Sequence, residues 1–584
     1  MKTYLKERIG KPELFSGRKE ELAFCLQWID QIKQEFSKST AILARRKMGK
    51  TALLERLYNI TFDRQDGVIP FYYEVKEGKV WVVDFCCDFF LKFIFQYIAY
   101  KSRNPDYLAP GTRYDFKKAR ETAQKENLEF LVEFIEDVEN LVVQDRVGNL
   151  WEAVRTTPHT IAVRREEFIV QIIDEFQFLN SEIYRDKTCT NVMDDLAGGY
   201  LSTAESKVAP LLVSGSWVGW LMNLLMRLLP ARFKFVFLDS MPEDEALEAI
   251  QNYSRLMNIP VTEESVHALL KISEGSPFYI SSLFKSYCPR KDLSTLEGLQ
   301  RLLEFETLND RGEIKGTWME YVDTALHRVN DRYAKNIVLY LCKHRAREVT
   351  RAELLKTLDL PMTDTELEKK LKALVKADIV LQGTTNFDYR AVKDNIFDKV
   401  FRGVYQKEIQ AFDPKEISRE FHEMLEKSER ERKQTLGKLN RLKGLYAEYT
   451  IGDCIRYRGI EQNKRLKKRI KNLPSDFNFA AYKRVWTYHL DQEQSNRISA
   501  DILAVAEDPK DYSIIAEIKH RDTRKFNRKE VNALLERGKK IAEKEGIQKY
   551  ILFIYSSKGL TKDASRYCDR RNIPYSDSED WLEE

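Results

Sequence analysis

The sequence predicts an α/β protein built on an open parallel sheet, and three stretches predict it. Ala41-Ile42-Leu43 is an apolar run, followed by a small-then-basic loop from Ala44 to Lys47 and by Gly49-Lys50-Thr51 at the start of an apolar-periodic helix. Phe168 to Ile173 is a continuous apolar run ending in Asp174-Glu175, the pattern of a strand covered by helices on both faces. Far downstream, Ile498 to Lys519 reads as two alternating strands around the turn residues Glu507-Asp508-Pro509-Lys510.

The first stretch asks for a polyphosphate. The unpaired amides at the start of the helix and the positive end of its dipole point at whatever sits on the loop. Gly49 lets the backbone approach phosphates, Lys50 would reach the β- and γ-phosphates, and the Thr51 hydroxyl would hold Mg²⁺. Asp174 and Glu175 stand at a strand's C-terminal end, where open α/β sheets place ligands; Asp174 would join the Mg²⁺ shell and Glu175 would polarise the attacking water. Together these residues resemble a P-loop, G-x-x-x-x-G-K-[ST], with Ala44 in place of the first glycine. A left-handed turn at Ala44 would be costly, so the replacement bears on nucleotide affinity more than on fold.

At 584 residues the chain is too long for one core, and about three or four domains are expected. With 32% charged and 43% hydrophobic residues it is globular rather than disordered, and a net charge of +5 does not by itself imply nucleic acid. The eight cysteines form no C-x-x-C and have no histidine partners at zinc spacing, so they read as reduced core thiols of a cytoplasmic protein. The N-terminal stretch shows no signal-peptide core. Val208 to Met226 carries no charge, but it divides into a strand (210 to 213) and a helix, so no membrane span is expected.

In chain order, Gly17-Arg18 introduces a helix to about Phe36. A strand follows over Val68 to Val75, then an aromatic-rich core helix over Val82 to Tyr100, and a helical insertion over about 103–160 that includes a helix from Leu128 to Val143. Ser214-Gly215-Ser216 follows the 210–213 strand, and Phe233 to Leu238 forms another strand. Helices Pro242 to Met257 and Glu263 to Ser273 begin a helical lid over 241–325, with a turn at Gly275-Ser276-Pro277. The order of these motifs over residues 15 to 290 resembles the archaeal ATPases of the AAA and STAND neighbourhood. The resemblance implies an ATPase core over 1–240, with ATP and Mg²⁺ as cofactors and a loop and helix at Gly17-Arg18 that cover the adenine. It further implies Ser216 as the hydroxyl that senses the γ-phosphate and Arg232 as a charge donor in cis or from a neighbouring subunit, hence a possible homo-oligomer.

Residues 326–405 read as three short helices and a hairpin around Gly383-Thr384-Thr385-Asn386, the order of a winged helix-turn-helix. The third helix mixes Lys369, Lys370, Lys372 and Lys376 with Glu366 and Glu368, which suits DNA contact and protein packing equally. A mixed-charge connector helix spans 406–443.

The final region, 444–584, forms a second chemical centre. A turn centred on Pro509 makes Asp501 face Glu517, with Lys519 on the same face two residues on. Converging ionisable groups on apolar strands are costly unless metal or solvent satisfies them. Asp501 and Glu517 would suit Mg²⁺, and Lys519 would orient the attacking water. Asp501 with Glu517-Ile518-Lys519 resembles the PD-(D/E)xK nuclease superfamily, with Ala500 in place of the motif's proline, and Glu448 would be the helical glutamate of that restriction-endonuclease-like fold. The basic runs Lys464 to Lys471 and His520 to Lys529 flank the site and suit a phosphate backbone, so DNA is the expected partner. The resemblances imply an ATP-hydrolysing protein that regulates or drives a DNA endonuclease, in a mobile-element or anti-phage setting. The competing expectations are a nucleotide-gated regulator whose C-terminal domain binds without cutting, and a scaffold that binds nucleotide structurally.

Overall fold

The computed structural model describes residues 4–108, 115–144, 146–329, 333–409, 414–490 and 498–582. The chain divides into two compact units, Met1–Glu429 and Arg430–Glu584.

The first unit is organised by a five-stranded sheet: β1 (Thr40–Leu43), β2 (Val68–Glu74), β3 (Phe168–Asp174), β4 (Leu211–Gly215) and β5 (Lys234–Phe237). All pairings are parallel and the spatial order is β2-β3-β4-β1-β5. Every residue of β1 and β4 is buried, as the uninterrupted apolar runs require. The Val82–Ser102 helix covers the sheet with Phe85, Phe89 and Phe93, and Phe71 of β2 meets Phe89 and Phe93 edge-on at 5.1 and 5.2 Å. These aromatics are therefore core, as expected. The insertion consists of helices Phe116–Lys125, Phe130–Val143 and Val147–Arg165.

Five helices follow between Glu243 and Val329. They are followed by helices Ala334–Lys343, Arg351–Thr357 and Asp364–Lys376, and by a three-stranded sheet of β6 (Val349–Thr350), β7 (Val380–Gln382) and β8 (Asp388–Ala391). The Asp364–Lys376 helix is capped by Thr363 and Glu366 reciprocally.

The connector differs from expectation. Helix Pro414–Asp453 continues unbroken through Gly437 and Gly444, so Glu448 stands on the same helix as the mixed-charge segment. A helical glycine costs only about 1 kcal/mol, which the remaining backbone bonds outweigh.

The second unit carries a mixed sheet in sequential order: β9 (Tyr482–Leu490), β10 (Ile498–Ala506), β11 (Ser513–Lys519), β12 (Tyr550–Ser556) and β13 (Tyr575–Ser576). The β10/β11 register pairs Ile502 with Ala516 and Ala504 with Ile514, the phase that makes Asp501 face Glu517. Helix Arg528–Glu545 crosses from β11 to the parallel β12. No helix among the described residues is long and apolar enough to cross a membrane. Val208 to Met226 is divided between β4 and the Val218–Leu228 helix.

Candidate functional site

The loop after β1 and the end of β3 meet at one edge of the parallel sheet. The loop makes its left-handed steps at Lys47 (φ 69°) and Gly49 (φ 81°), while Ala44 stays buried outside that conformation. The missing first glycine therefore imposes no backbone strain. Gly49 is the residue the geometry demands, and even the non-glycine Lys47 holds its turn at a cost of about 1 kcal/mol.

Lys50 is 5% exposed, and its Nζ lies 2.7 Å from Glu175 Oε1 and 3.1 Å from Asp174 Oδ1. Desolvating the ammonium is tolerable because two carboxylates neutralise it. Burial alone would lower the Lys50 pKa, but Asp174 and Glu175 reverse the effect and hold it above the ordinary value. Burial likewise opposes ionisation of Asp174, yet Lys50 and the hydroxyls of Ser214 and Thr51 keep its carboxyl below the usual range.

Thr51 Oγ1 donates to Asp174 Oδ2 at 2.7 Å, and Ser214 Oγ donates to Asp174 Oδ1. Glu175 is in the left-handed region (φ 56°), which turns its side chain back toward the loop. There Ser216 donates to Glu175 Oε2 through its hydroxyl at 2.8 Å and its amide at 3.2 Å, and Gln177 Nε2 donates at 2.5 Å. Gly49, Lys50, Thr51, Glu175 and Ser216 line a cleft of about 400 Å³ whose rim also carries Arg8, Arg46 and Lys285. Arg18, from the Gly17-Arg18 motif, is buried and donates to the Met48 carbonyl at 2.9 Å, while its amide donates to Glu245 at 2.6 Å. That motif thus braces the loop against the lid helix Glu243–Met257.

Arg232 is not part of this assembly. It precedes β5, which runs parallel to β1 with Lys234 opposite Thr40, so Arg232 lies at the sheet edge opposite the loop and pairs with Glu205 at 3.3 Å. The expectation that it serves the nucleotide of its own chain is corrected on that ground.

The second unit brings its predicted residues together. Lys519 Nζ lies 2.9 Å from both Asp501 Oδ2 and Glu517 Oε1, and the Ile518 amide donates to Asp501 at 2.7 Å. Burial and the neighbouring Asp501 charge push Glu448 up to about 7, against the opposing pull of Lys519. Glu448 and Asp501 line one cleft of about 460 Å³. Sequence reasoning missed Arg537, whose Nη2 donates to Glu517 Oε2 at 2.9 Å from helix Arg528–Glu545. Helical spacing marked no such partner, because the contact exists only once the crossover helix packs on the sheet.

Among the described residues no group of three or more His, Cys, Asp or Glu is arranged to hold a metal ion. Each site instead offers two hard oxygens, Thr51 with Asp174 and Asp501 with Glu517, the donor type and number Mg²⁺ takes when phosphate oxygens and water complete its octahedron.

No protein-family model and no curated protein matches the sequence. Among solved structures the chain is similar to a Walker-type ATPase of Pyrococcus abyssi (TM-score 0.45, 16% identity, 68% of this chain and 98% of that one). It is also similar to the ORC2 protein of Aeropyrum pernix (TM-score 0.37, 14% identity, 69% and 99%). A third is the RuvB Holliday junction branch migration motor of Thermotoga maritima (TM-score 0.31, 13% identity, 70% and 100%).

Proposed function

We propose that the first unit binds and hydrolyses ATP, and that this activity regulates or drives metal-dependent cutting of DNA by the second unit, in a mobile-element or defence setting. The observation that carries the reading is the Lys50 ammonium held between Asp174 and Glu175 at the loop end of a parallel sheet. ATP is the substrate that such a site exchanges for its own ion pair. Phosphate oxygens take over Lys50, and Glu175 is thereby released to orient a water in line with the γ-phosphorus. As the water oxygen bonds to phosphorus, the bond to the β-phosphate oxygen breaks and Glu175 accepts the water's proton. Ser216 holds Glu175 in position, and Thr51 with Asp174 would hold Mg²⁺, which supplies charge neutralisation of the phosphates.

In the second unit Asp501 and Glu517 would hold Mg²⁺ while Lys519 orients the attacking water. The three helices followed by the β7/β8 hairpin are read as a winged helix-turn-helix that contacts DNA. Its third helix also packs within the first unit: a Cβ on Gly219 would fall 2.8 Å from the Lys376 backbone.

That packing favours a second reading, a nucleotide-gated DNA-binding regulator with a non-cutting C-terminal domain. Ser216 touches Glu175, while two residues on the Val218 amide donates to Asp378 at 2.9 Å, so one short segment links the nucleotide site to the winged-helix module. The deciding experiment is cleavage of labelled single- and double-stranded DNA by the full chain with Mg²⁺ or Mn²⁺, with and without ATP, beside Asp501→Ala and Glu175→Gln. Cutting lost in Asp501→Ala and altered by ATP supports the first reading. ATP hydrolysis without cutting supports the second.

A further inference from the structure

We propose that the cleft beside Asp501 is a stacking site for the bases of single-stranded nucleic acid, an inference that rests on reading Asp501, Glu517 and Lys519 as a phosphodiester-cutting centre. The cleft lies between the end of the Pro414–Asp453 helix and the edge strand β9, and Tyr449 lines it together with Glu448 and Asp501, whereas Trp486 at its border is half-buried against Tyr488 and Leu503. Tyr449 is 74% exposed. A large ring left in water beside an acidic cleft is a surface that a ligand would cover.

The ligand must offer flat apolar faces and negative charge. Arg456 lines the cleft and donates to the Val485 carbonyl, so a cation borders the Tyr449 ring's surface. Basic groups beside exposed rings are the combination that binds an unpaired strand, whose phosphates meet the cations while its bases lie on the rings. In a duplex the base faces are already stacked and the rings would have nothing to cover. Because Asp501 and Tyr449 line the same cleft, a base resting on Tyr449 brings its own phosphodiester to the carboxylates.

The other occupant to weigh is a second copy of the chain. Leu439, Leu442, Tyr446 and Tyr449 follow one another at heptad spacing on a helix, and all are exposed. The Arg456 guanidinium and the Asp501 carboxylate in the cleft beside Tyr449 favour the nucleic acid.

The test is fluorescence anisotropy with the full chain carrying Asp501→Ala, in Ca²⁺, using a labelled oligothymidylate of about twenty residues and a duplex of equal length. Expected is tighter binding of the single strand, weakened about tenfold by Tyr449→Ala and retained in Tyr449→Phe. Tyr449 is mostly in solvent, so its truncation leaves the fold intact. Equal or tighter duplex binding, an unchanged affinity in Tyr449→Ala, or a dimer in sedimentation that Tyr449→Ala dissolves without affecting DNA would each overturn the proposal. A chain with native Asp501 separates the two readings in Mg²⁺. Stacking-dependent binding without cutting removes the nuclease reading alone, whereas duplex cutting indifferent to Tyr449→Ala removes the stacking site alone.

Discussion

Lys50 and Lys519 each bridge two carboxylates, but Lys50 and Asp174 are 5% and 0% exposed at their side chains, whereas Lys519 and Asp501 are 26% and 20% exposed. The partners of Lys50 lie more than a hundred residues away and arrive on another strand; those of Lys519 come from one hairpin. The difference separates two uses of the same chemistry. The buried triad is complete without a ligand, and only a multiply charged one can displace it. The open triad keeps Asp501 facing a cleft, with Glu448 in the same lining, while Glu517 is buried against Lys519 and Arg537.

The largest expected contrast is in turnover. Glu175→Gln should lower ATP hydrolysis by about a thousandfold while nucleotide affinity in calorimetry is kept, because the carboxylate acts on the water rather than on the bound phosphates. Asp501→Ala should abolish DNA cutting by the second unit and leave ATP hydrolysis within about twofold of the native chain. Loss of ATP hydrolysis in Asp501→Ala would show that the two sites do not act as separate centres.

Stability should divide the two lysines next. Lys50→Ala strands the buried Asp174 carboxylate beside the half-buried Glu175 and should cost about 3 kcal/mol in urea unfolding of the first unit, besides weakening nucleotide binding. Lys519→Ala, at a solvated site, should cost about 1 kcal/mol. Equal losses would erase the distinction drawn here between buried and open triads.

A smaller effect sharpens the picture of the buried site. Glu55, on the Lys50–Arg64 helix, is pushed up to about 7 chiefly by burial, with the Arg8 amide pulling the other way. Its carboxyl binds a proton more tightly in the folded than in the unfolded chain, where the ordinary value is 4.5. Its contribution is therefore fully present below about pH 4.5 and is lost as pH rises through about 7. Unfolding at pH 5 and pH 7 should show Glu55→Gln removing about 2 kcal/mol of pH dependence from the first unit. An unchanged slope would mean that Glu55 is solvated when folded.

Legibility in the sequence followed the range of the forces involved. The β10/β11 hairpin was readable to the residue because turn chemistry and two-residue alternation fix register locally, and Asp501, Glu517 and Lys519 met as that register required. The loop from Ala44 to Thr51 and the carboxylates of Asp174-Glu175 were readable because each sits at a strand end with its own local pattern.

What local pattern could not supply was the order β2-β3-β4-β1-β5 that sets Lys50 against Asp174, or the parallel run of β5 beside β1 that leaves Arg232 at the end of the sheet away from the loop. Nor could it supply the crossover packing that delivers Arg537 to Glu517, or the continuation of the connector helix through Gly444. By itself the sequence determined which ionisable groups stand at strand ends and the turns that hold them, since those depend on neighbours a few residues away. The tertiary structure decided which of those groups meet and how far each is removed from water, because burial and long-range pairing are set only when separate elements pack.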